Sequence, residues 1–456
     1  MSRRKLFGTT GIRKIFGSGI TPEMALELGL AFGTYLKQGT VLVGRDVRTT
    51  SPIIQMAFQS GLMATSINVV DAGVIPTPTL AFSLKKNKYR AGVIITASHN
   101  PPEYVGIKFW GKDGLGIPPE EELKIEKIYF DKAFNYANWD NIGKYSVDDS
   151  LVDDHIDYVI RSISSELIRS KKFEILIDPG NGAASLVSPY LLRKLNARVS
   201  TLNSHPDGYF PGRKSEPNEE SLEELFSLIR QRHYDLGIAH DGDADRVVFI
   251  DETGKLHSAD RVITMIALRY LKNKKGTIVT TVDSSFVLDD LVKKAGGNVI
   301  RTPVGDINVA YALYNKKGIF GGESCGVYIF PEHHYGPDTL MAIGVLLEIM
   351  AKENKKFSEL MSEIPEFPHR RVSIKCDDDK KADVMKQVSK ILPEKFNNIV
   401  EIVDVDGFGM VLDDGWVLVR PSGTEPKIRV TCESTNNQKM NQYINVILDL
   451  MKSIIS

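Results

Sequence analysis

Three stretches decide the fold: AGVIITASHN at 91–100, LGIAHDGDAD at 236–245 and KGIFGGESCG at 317–326. Each sets a glycine before Val or Ile and then runs into a polar loop. Gly92 precedes Ser98 by six positions, Gly237 precedes Asp243 by six, and Gly318 precedes Ser324 by six. Short apolar runs bounded by polar turns read as buried strands. The weak repeat predicts three related α/β units, each presenting one loop at the end of an equivalent strand, where open α/β sheets hold their ligands.

Outward from these stretches, short apolar strands alternate with helical patterns, the mark of α/β architecture. VLVGRD at 41–46, ILIDPGNG at 175–182 and TIVTTVD at 277–283 read as further strands. Thr21 and Pro22 supply an N-cap and first turn for a helix through MALELGLAFGTYL. SLEELFSLIR after Pro217-Asn218 reads as a capped amphipathic helix. Near the end, Met440, Tyr443, Ile444, Ile447 and Met451 share one helical face. Polar or turn-rich stretches at 146–154 and 250–260 and the two-proline segment IPEFPHRR at 364–371 divide the chain into units of 1–150, 151–252, 253–365 and 366–456. The last segment is expected to be a linker with few contacts, and hence a hinge.

A chain of 456 residues is long enough for three domains or four. Hydrophobic residues at 42% and charged residues at 25% suit a globular protein. A net charge of −1 argues against a dedicated nucleic-acid binder. The cysteines, Cys325, Cys376 and Cys432, lie far apart with no paired spacing, so a reducing cytoplasm is expected. The start, MSRRKLFGTTGIRKIF, has no apolar run behind its positive charge, and no stretch is apolar enough for a membrane span. A multidomain cytoplasmic enzyme is the expectation.

Four loops carry chemistry. In HDGDADR at 240–246, Asp241, Asp243 and Asp245 alternate with small spacers. Carboxylates this close repel unless a cation gathers them, and hard oxygen ligands suit Mg²⁺. The bland reading is a solvated acidic turn. An EF-hand is rejected, because Arg246 stands at the sixth position and VVFID follows where a helix should begin. In TASHNP at 96–101, Ser98 leaves a strand end with His99 beside it and Lys108 downstream. That serine is either a nucleophile or phosphate carrier, or part of an ordinary turn. RPSGTEPKIR at 420–429 combines Arg420, Ser422, Gly423 and Thr424, the parts of a phosphate clamp or of a polar hairpin. In GGESCG, Glu323 can accept hydrogen bonds from sugar hydroxyls.

Together, from KLFGTTGIR at 5–13 to RPSGTEPKIR, these loops resemble the α-D-phosphohexomutase superfamily. GRDVRTTS at 44–51, PTPTL at 76–80 and PDGYFPGRKSEPN at 206–218 support the resemblance. It implies three similar α/β domains plus a smaller C-terminal α+β domain around a central cleft. It implies that Ser98 carries a phosphoryl group and that Asp241, Asp243 and Asp245 bind Mg²⁺, with the Ser98 phosphate completing the shell. Arg246, Lys108 and Arg13 match basic groups near the reacting phosphate, and Lys108 and His99 are proton-transfer candidates. Glu323 belongs to the sugar loop, with Cys325 where the family usually has serine. Arg420, Ser422, Gly423 and Thr424 match the distal phosphate loop. Val105 replaces a usual Asn after the serine loop, and both departures bear on sugar preference.

The implied reaction interconverts hexose 1-phosphate and 6-phosphate through phosphorylated Ser98 and a bisphosphorylated hexose, which also serves as primer. KLFGTTGIR and RTPVGD at 301–306 look most like phosphoglucosamine mutases with relaxed specificity; phosphomannomutase or phosphoglucomutase is the alternative. A metal-dependent phosphatase is disfavoured because it needs no second phosphate loop. A non-catalytic sensor would be expected to lose Ser98 or an aspartate. Partners are confined to the phosphorylated hexose, with no nucleic acid or membrane, in a monomer or homodimer.

Overall fold

The structure, a computed structural model, describes residues 5–8, 11–422 and 426–455. The first sheet contains β1 (Ile12–Ile15), β2 (Thr40–Arg45), β3 (Asn68–Val74), β4 (Ala91–Ile95), β5 (Tyr104–Gly111) and β6 (Tyr145–Val147), in the order β1-β5-β4-β2-β3-β6. The second contains β7 (Glu174–Asp178), β8 (Arg198–Thr201), β9 (Leu236–His240) and β10 (Val247–Ile250), ordered β10-β9-β7-β8. The third contains β11 (Thr277–Thr281), β12 (Asn298–Thr302), β13 (Phe320–Glu323) and β14 (Val327–Ile329), ordered β12-β11-β13-β14.

These sheets share one topology. In each, two parallel strands are followed by a third that pairs parallel with the first, and a hairpin then returns antiparallel along the third strand. The third strand is β4, β9 or β13, the three stretches with which the repeat was recognised. Every residue of these three strands is buried, as expected for strands covered on both faces. Ser98, the 241–245 loop and Glu323 therefore occupy equivalent places, at the carboxyl end of the third strand of each unit.

The fourth sheet is antiparallel: β15 (His369–Lys375), β16 (Ile399–Val403), β17 (Phe408–Leu412), β18 (Gly415–Pro421) and β19 (Lys427–Ser434), ordered β15-β19-β18-β17-β16. The Asn437–Ile455 helix covers it, burying Met440, Tyr443, Ile444, Ile447 and Met451. This is the smaller α+β domain expected. The first and fourth units have their own cores, whereas the second and third share one apolar cluster running from Ile156 to Ile364. Each fully buried aliphatic or aromatic side chain in these cores contributes about 1.5–3 kcal/mol.

Local expectations hold with small shifts. Thr21 caps the Pro22–Leu36 helix by accepting from the Met24 amide. That helix packs against Ser51–Met63 so closely that a Cβ on Gly29 would meet Phe58 O at 2.2 Å. Asn218 bonds reciprocally with Ser221 in a turn, and the helix starts later, at Glu223. The 364–371 segment differs more. It is not a contact-poor linker: Ile364 O accepts from Arg261, Glu366 pairs with Lys255 at 2.6 Å, and Phe367 stacks on Phe286 at 4.7 Å. The prolines block regular hydrogen bonding there, but the side chains between them pack. β15 then begins at His369, inside the supposed linker.

Candidate functional site

Ser98 sits just beyond β4 with a left-handed backbone, φ +52°, and is fully buried. A non-glycine residue held there stores of order 1 kcal/mol of strain, so its surroundings must impose the turn. Arg48 supplies most of that constraint. Its guanidinium donates to the carbonyls of Ser98 (2.8 Å), Asn100 (2.6 Å), Pro101 (2.5 Å) and Tyr104 (3.0 Å). Its Nε pairs with Asp46 at 3.0 Å, and Asp46 also accepts from Ser51 Oγ at 2.6 Å. The Ser98 amide donates to Thr96 Oγ1 at 2.9 Å.

The aspartate loop turns from β9 into β10 and packs directly on the serine loop. A Cβ on Gly242 would meet Ser98 O at 2.7 Å, which accounts for the glycine spacer. Ser98 Oγ donates to Asp241 Oδ2 at 2.7 Å. Asp243 Oδ2 accepts from Thr77 Oγ1 (2.7 Å) and Lys108 Nζ (2.9 Å), and Asp245 Oδ2 accepts from Lys108 Nζ at 2.7 Å. One ligand oxygen from each aspartate lies within 4.8 Å of the others, and all three residues are buried.

This arrangement fits a divalent cation. Asp243 Oδ1 and Asp245 Oδ1 are buried without a hydrogen-bond partner among the described residues, and such atoms are costly unless a cation meets them. Three carboxylates face the Lys108 ammonium and, further off, the Arg246 guanidinium, whose Nε lies 3.9 Å from Asp245 Oδ1, so full ionisation still leaves one negative charge unmatched. Burial, with Asp245 and Asp243 beside it, pushes the Asp241 carboxyl well above its usual range. Burial also opposes charge on Asp243, but Lys108 and Thr77 outweigh it and hold that carboxyl well below its usual range. Burial alone would depress Lys108; Asp243 and Asp245 reverse that and keep it charged.

Of the other candidates, His99 lies with Nδ1 3.3 Å from Ser98 Oγ and 3.6 Å from Glu216 Oε2. Burial, reinforced by Arg246 and Arg13, drives its pKa down to about 2, so the imidazole is neutral. Arg246 is half-buried, donating to both Glu216 oxygens at 2.8 and 2.9 Å. Arg13, on β1, is close enough for its charge to act on His99, Lys108 and Asp243.

The glutamate loop joins this cluster through the backbone, since the Val247 amide, just past Arg246, donates to Gly326 O at 2.9 Å. Glu323 Oε1 accepts from the Gly305 amide at 2.7 Å. Burial and the Asp306 carboxylate push the Glu323 pKa up to about 8. Cys325 Sγ lies 3.8 Å from Glu323 Oε2, and burial keeps it a neutral thiol. Val105 faces elsewhere: it is fully buried in the first unit's core, so its replacement of a polar residue is a packing change.

From the fourth domain, Arg420 pairs with Asp406 at 3.3 Å, and Asp406 also accepts from the Val304 amide at 3.2 Å. The buried Ser422 bonds through its amide to Lys427 O at 2.9 Å. Gly423 and Thr424 lie outside the described residues. Arg371 reaches the glutamate loop, donating to Ser324 Oγ at 3.2 Å and Asp283 O at 2.9 Å. Arg48, Thr77, Glu216 and Asp406 were not singled out from sequence. The first three fall in segments noted there (GRDVRTTS, PTPTL and PDGYFPGRKSEPN), but nothing local revealed their partners.

One α/β unit used three times, presenting serine, aspartate and glutamate loops beside a fourth domain, defines the α-D-phosphohexomutase class. Models described as phosphoglucomutase/phosphomannomutase alpha/beta/alpha domains I, II and III match residues 4–136, 153–254 and 258–367, and the C-terminal domain model matches 372–450. The chain belongs to the phosphoglucomutase/phosphomannomutase family. A probable phosphoglucosamine mutase of Methanopyrus kandleri is 42% identical, over 99% of this chain and 98% of its own length. A phosphoglucomutase/phosphomannomutase of Thermococcus kodakarensis is 40% identical, over 99% of each. Among solved structures, a phosphoglucomutase/phosphomannomutase family protein from Burkholderia thailandensis aligns with a TM-score of 0.88 at 25% identity, covering 98% of this chain and 97% of that one. Among the described residues no helix is long and apolar enough to cross a membrane.

Proposed function

We propose that this chain interconverts hexose 1-phosphates and 6-phosphates, with glucosamine phosphate as its main substrate and glucose or mannose phosphates also turned over. The observation that carries this reading is the 2.7 Å contact of Ser98 Oγ with Asp241, inside a buried set of three carboxylates. Asp241, Asp243 and Asp245 would hold Mg²⁺, which when bound would neutralise charge on the phosphoryl group being transferred.

The remaining steps fall to the chain's own groups. Phosphorylated Ser98 gives its phosphoryl group to the free C1 or C6 hydroxyl; the Oγ–P bond breaks as the sugar O–P bond forms. The hydroxyl proton passes to the departing Ser98 Oγ. His99, 3.3 Å from that oxygen, and Lys108 are the candidates to relay it, because an imidazole with its pKa lowered to about 2 is too weak a base to hold it. Lys108, Arg246 and Arg13 place positive charge around the transfer. The bisphosphorylated hexose then turns over and returns its other phosphoryl group to Ser98. Arg420, Ser422, Gly423 and Thr424 bind the phosphate that is not reacting, and Glu323 orients the sugar. The same bisphosphate primes an enzyme whose serine has lost its phosphate.

Relatives bearing both the phosphoglucosamine mutase and the broader names at similar identity support a relaxed sugar choice. Three free cysteines support a cytoplasmic location, and the active form is taken as monomer or homodimer. The test is turnover of glucosamine, N-acetylglucosamine, glucose and mannose 1-phosphates by purified protein with trace bisphosphate, before and after EDTA and Mg²⁺ readdition. Turnover is expected on glucosamine phosphate and should be lost with EDTA. Strict mannose phosphate preference would overturn the sugar assignment, and metal-independent turnover would overturn the site.

A further inference from the structure

Two helices start against the aspartate loop. Thr77, first residue of Thr77–Lys86, donates its amide to Asp243 O at 2.9 Å and its hydroxyl to Asp243 Oδ2 at 2.7 Å. Thr339, first residue of Thr339–Glu353, donates its hydroxyl to Ala244 O at 2.7 Å. The segment 243–244 is thus held from the first unit on one side and the third on the other. Ala244 is also where the loop turns left-handed, φ +59°, a conformation the surroundings must impose.

Behind these first turns the two helices are tied together through His155, on the helix Leu151–Ser162. His155 Nδ1 lies 3.1 Å from Thr79 Oγ1 and its Nε2 lies 3.4 Å from Asp338 Oδ2. Asp338 caps the Thr339–Glu353 helix, its Oδ1 accepting from the Met341 amide at 2.9 Å, while Oδ2 also meets His334 Nε2 at 3.0 Å. Thr79, His155, His334 and Asp338 are all buried, and Phe82 stacks on His155 at 4.6 Å.

Two imidazoles and a carboxylate with ligand atoms within 4.8 Å have the composition of a zinc site. The hydrogen bonding disfavours that reading. His334 Nδ1 accepts from the Gly336 amide at 3.2 Å. A neutral ring accepting there carries its proton on Nε2, donates to Asp338, and has no lone pair left on Nε2 for a metal. The cluster is a hydrogen-bonded lock across three units.

We propose that this lock, acting through Thr339 and Thr77, sets the geometry of Asp243 and Ala244 and thereby the affinity of the aspartate loop for its divalent cation. Asp338 and Thr339 are then positioning residues. The inference rests on the proposed assignment of Asp241, Asp243 and Asp245 as metal ligands. Partners that orient a ligand typically govern affinity tenfold or more.

The test is Mn²⁺ binding to the full-length protein, followed by electron paramagnetic resonance, alongside turnover as a function of Mg²⁺. Thr339→Val keeps the side-chain shape and removes the donor; Thr339→Ser keeps the donor. Asp338→Asn can still cap the helix but presents an amide N–H₂ group to ring N–H groups. Thr339→Val and Asp338→Asn should each weaken Mn²⁺ binding by roughly tenfold and raise the Mg²⁺ needed for half-maximal turnover by a similar factor. KM for the sugar phosphate at saturating Mg²⁺ should stay near that of the wild type. Thr339→Ser should bind Mn²⁺ nearly as the wild type does. Unchanged Mn²⁺ affinity in folded Thr339→Val, or equal weakening by Val and Ser, would overturn the inference while the metal assignment stood. A wild type that binds no Mn²⁺ would instead overturn the metal assignment, and the inference with it.

Discussion

The Ser98 hydroxyl donates to the Asp241 carboxylate at 2.7 Å across 143 positions of the chain. This contact joins two copies of the same α/β unit at equivalent strand ends. A hydroxyl held against one of three gathered carboxylates is also where a metal and a phosphoryl group would meet.

Ser98→Ala should abolish turnover, by roughly a thousandfold or more, as loss of a nucleophile does. The residue is buried, so the change removes a buried donor and should cost about 1–3 kcal/mol. The fold should survive, because Arg48 holds the loop through backbone carbonyls. Intact mass should show a phosphate adduct on active wild type and none on the variant. Substantial mutase activity in the variant would refute the carrier role.

Arg48→Met should do more structural harm than Ser98→Ala. It strips donors from four carbonyls and leaves Asp46 buried without its ion-pair partner. Breaking a buried pair in this way costs about 3–5 kcal/mol. Urea unfolding should show that loss, and turnover should fall because the left-handed turn at Ser98 is no longer enforced. Arg48→Lys should recover only part of it, since an ammonium cannot span the same carbonyls. A loss below about 1 kcal/mol would show that the loop holds itself.

Arg48 also marks where sequence reading ran out. The loops at Ser98, Asp241–Asp245 and Glu323 were legible because each lies at the end of a short strand marked by a glycine before Val or Ile, and small spacers and clustered charge are local features. Arg48, Thr77 and Thr339 act through partners 50, 166 and 95 positions away, mostly on main-chain carbonyls, which leave no mark in the sequence. Val105 departs from the family pattern in a way expected to bear on sugar preference, yet alternation along β5 turns it into the core. The prolines at 365 and 368 suggested a loose linker, but Phe367 between them packs against Phe286.

Glu323 gives a pH-dependent signature. Its pKa rises from 4.5 to about 8 in the folded state, so between those values the folded protein holds a proton that the unfolded chain has released. Stability attributable to this group therefore falls as pH rises through that window, by at most about 1.4 kcal/mol per pH unit. Glu323→Gln removes the titration. Relative to wild type, the variant should gain stability between pH 5 and 8 and lose sugar-phosphate turnover. Parallel urea curves for the two proteins across this range would show that Glu323 is not the titrating group.

The last prediction concerns sugar choice. In the proposed reaction the phosphates, Ser98 and the metal serve every sugar alike, so discrimination would fall on groups that face the sugar ring. Glu323 would be one in that reaction, able to accept from hydroxyls or to meet a protonated amine. Beside it Cys325 presents a neutral thiol whose Sγ lies 3.8 Å from Glu323 Oε2. A thiol is a weak donor and acceptor, so it neither strongly rewards nor penalises a hydroxyl or amine nearby. Cys325→Ser substitutes a real hydrogen-bonding group that can bond Glu323 or the sugar. One net hydrogen bond is worth about 1 kcal/mol, so the kcat/KM ratio between glucosamine and glucose or mannose phosphates should move by roughly fivefold. The proposed metal requirement should not move, because Cys325 is not among the gathered carboxylates. Competition between paired sugar phosphates, read by product ratio, measures the shift directly. An unchanged ratio would mean that Cys325 does not meet the sugar, leaving discrimination to Glu323 and the 301–306 stretch.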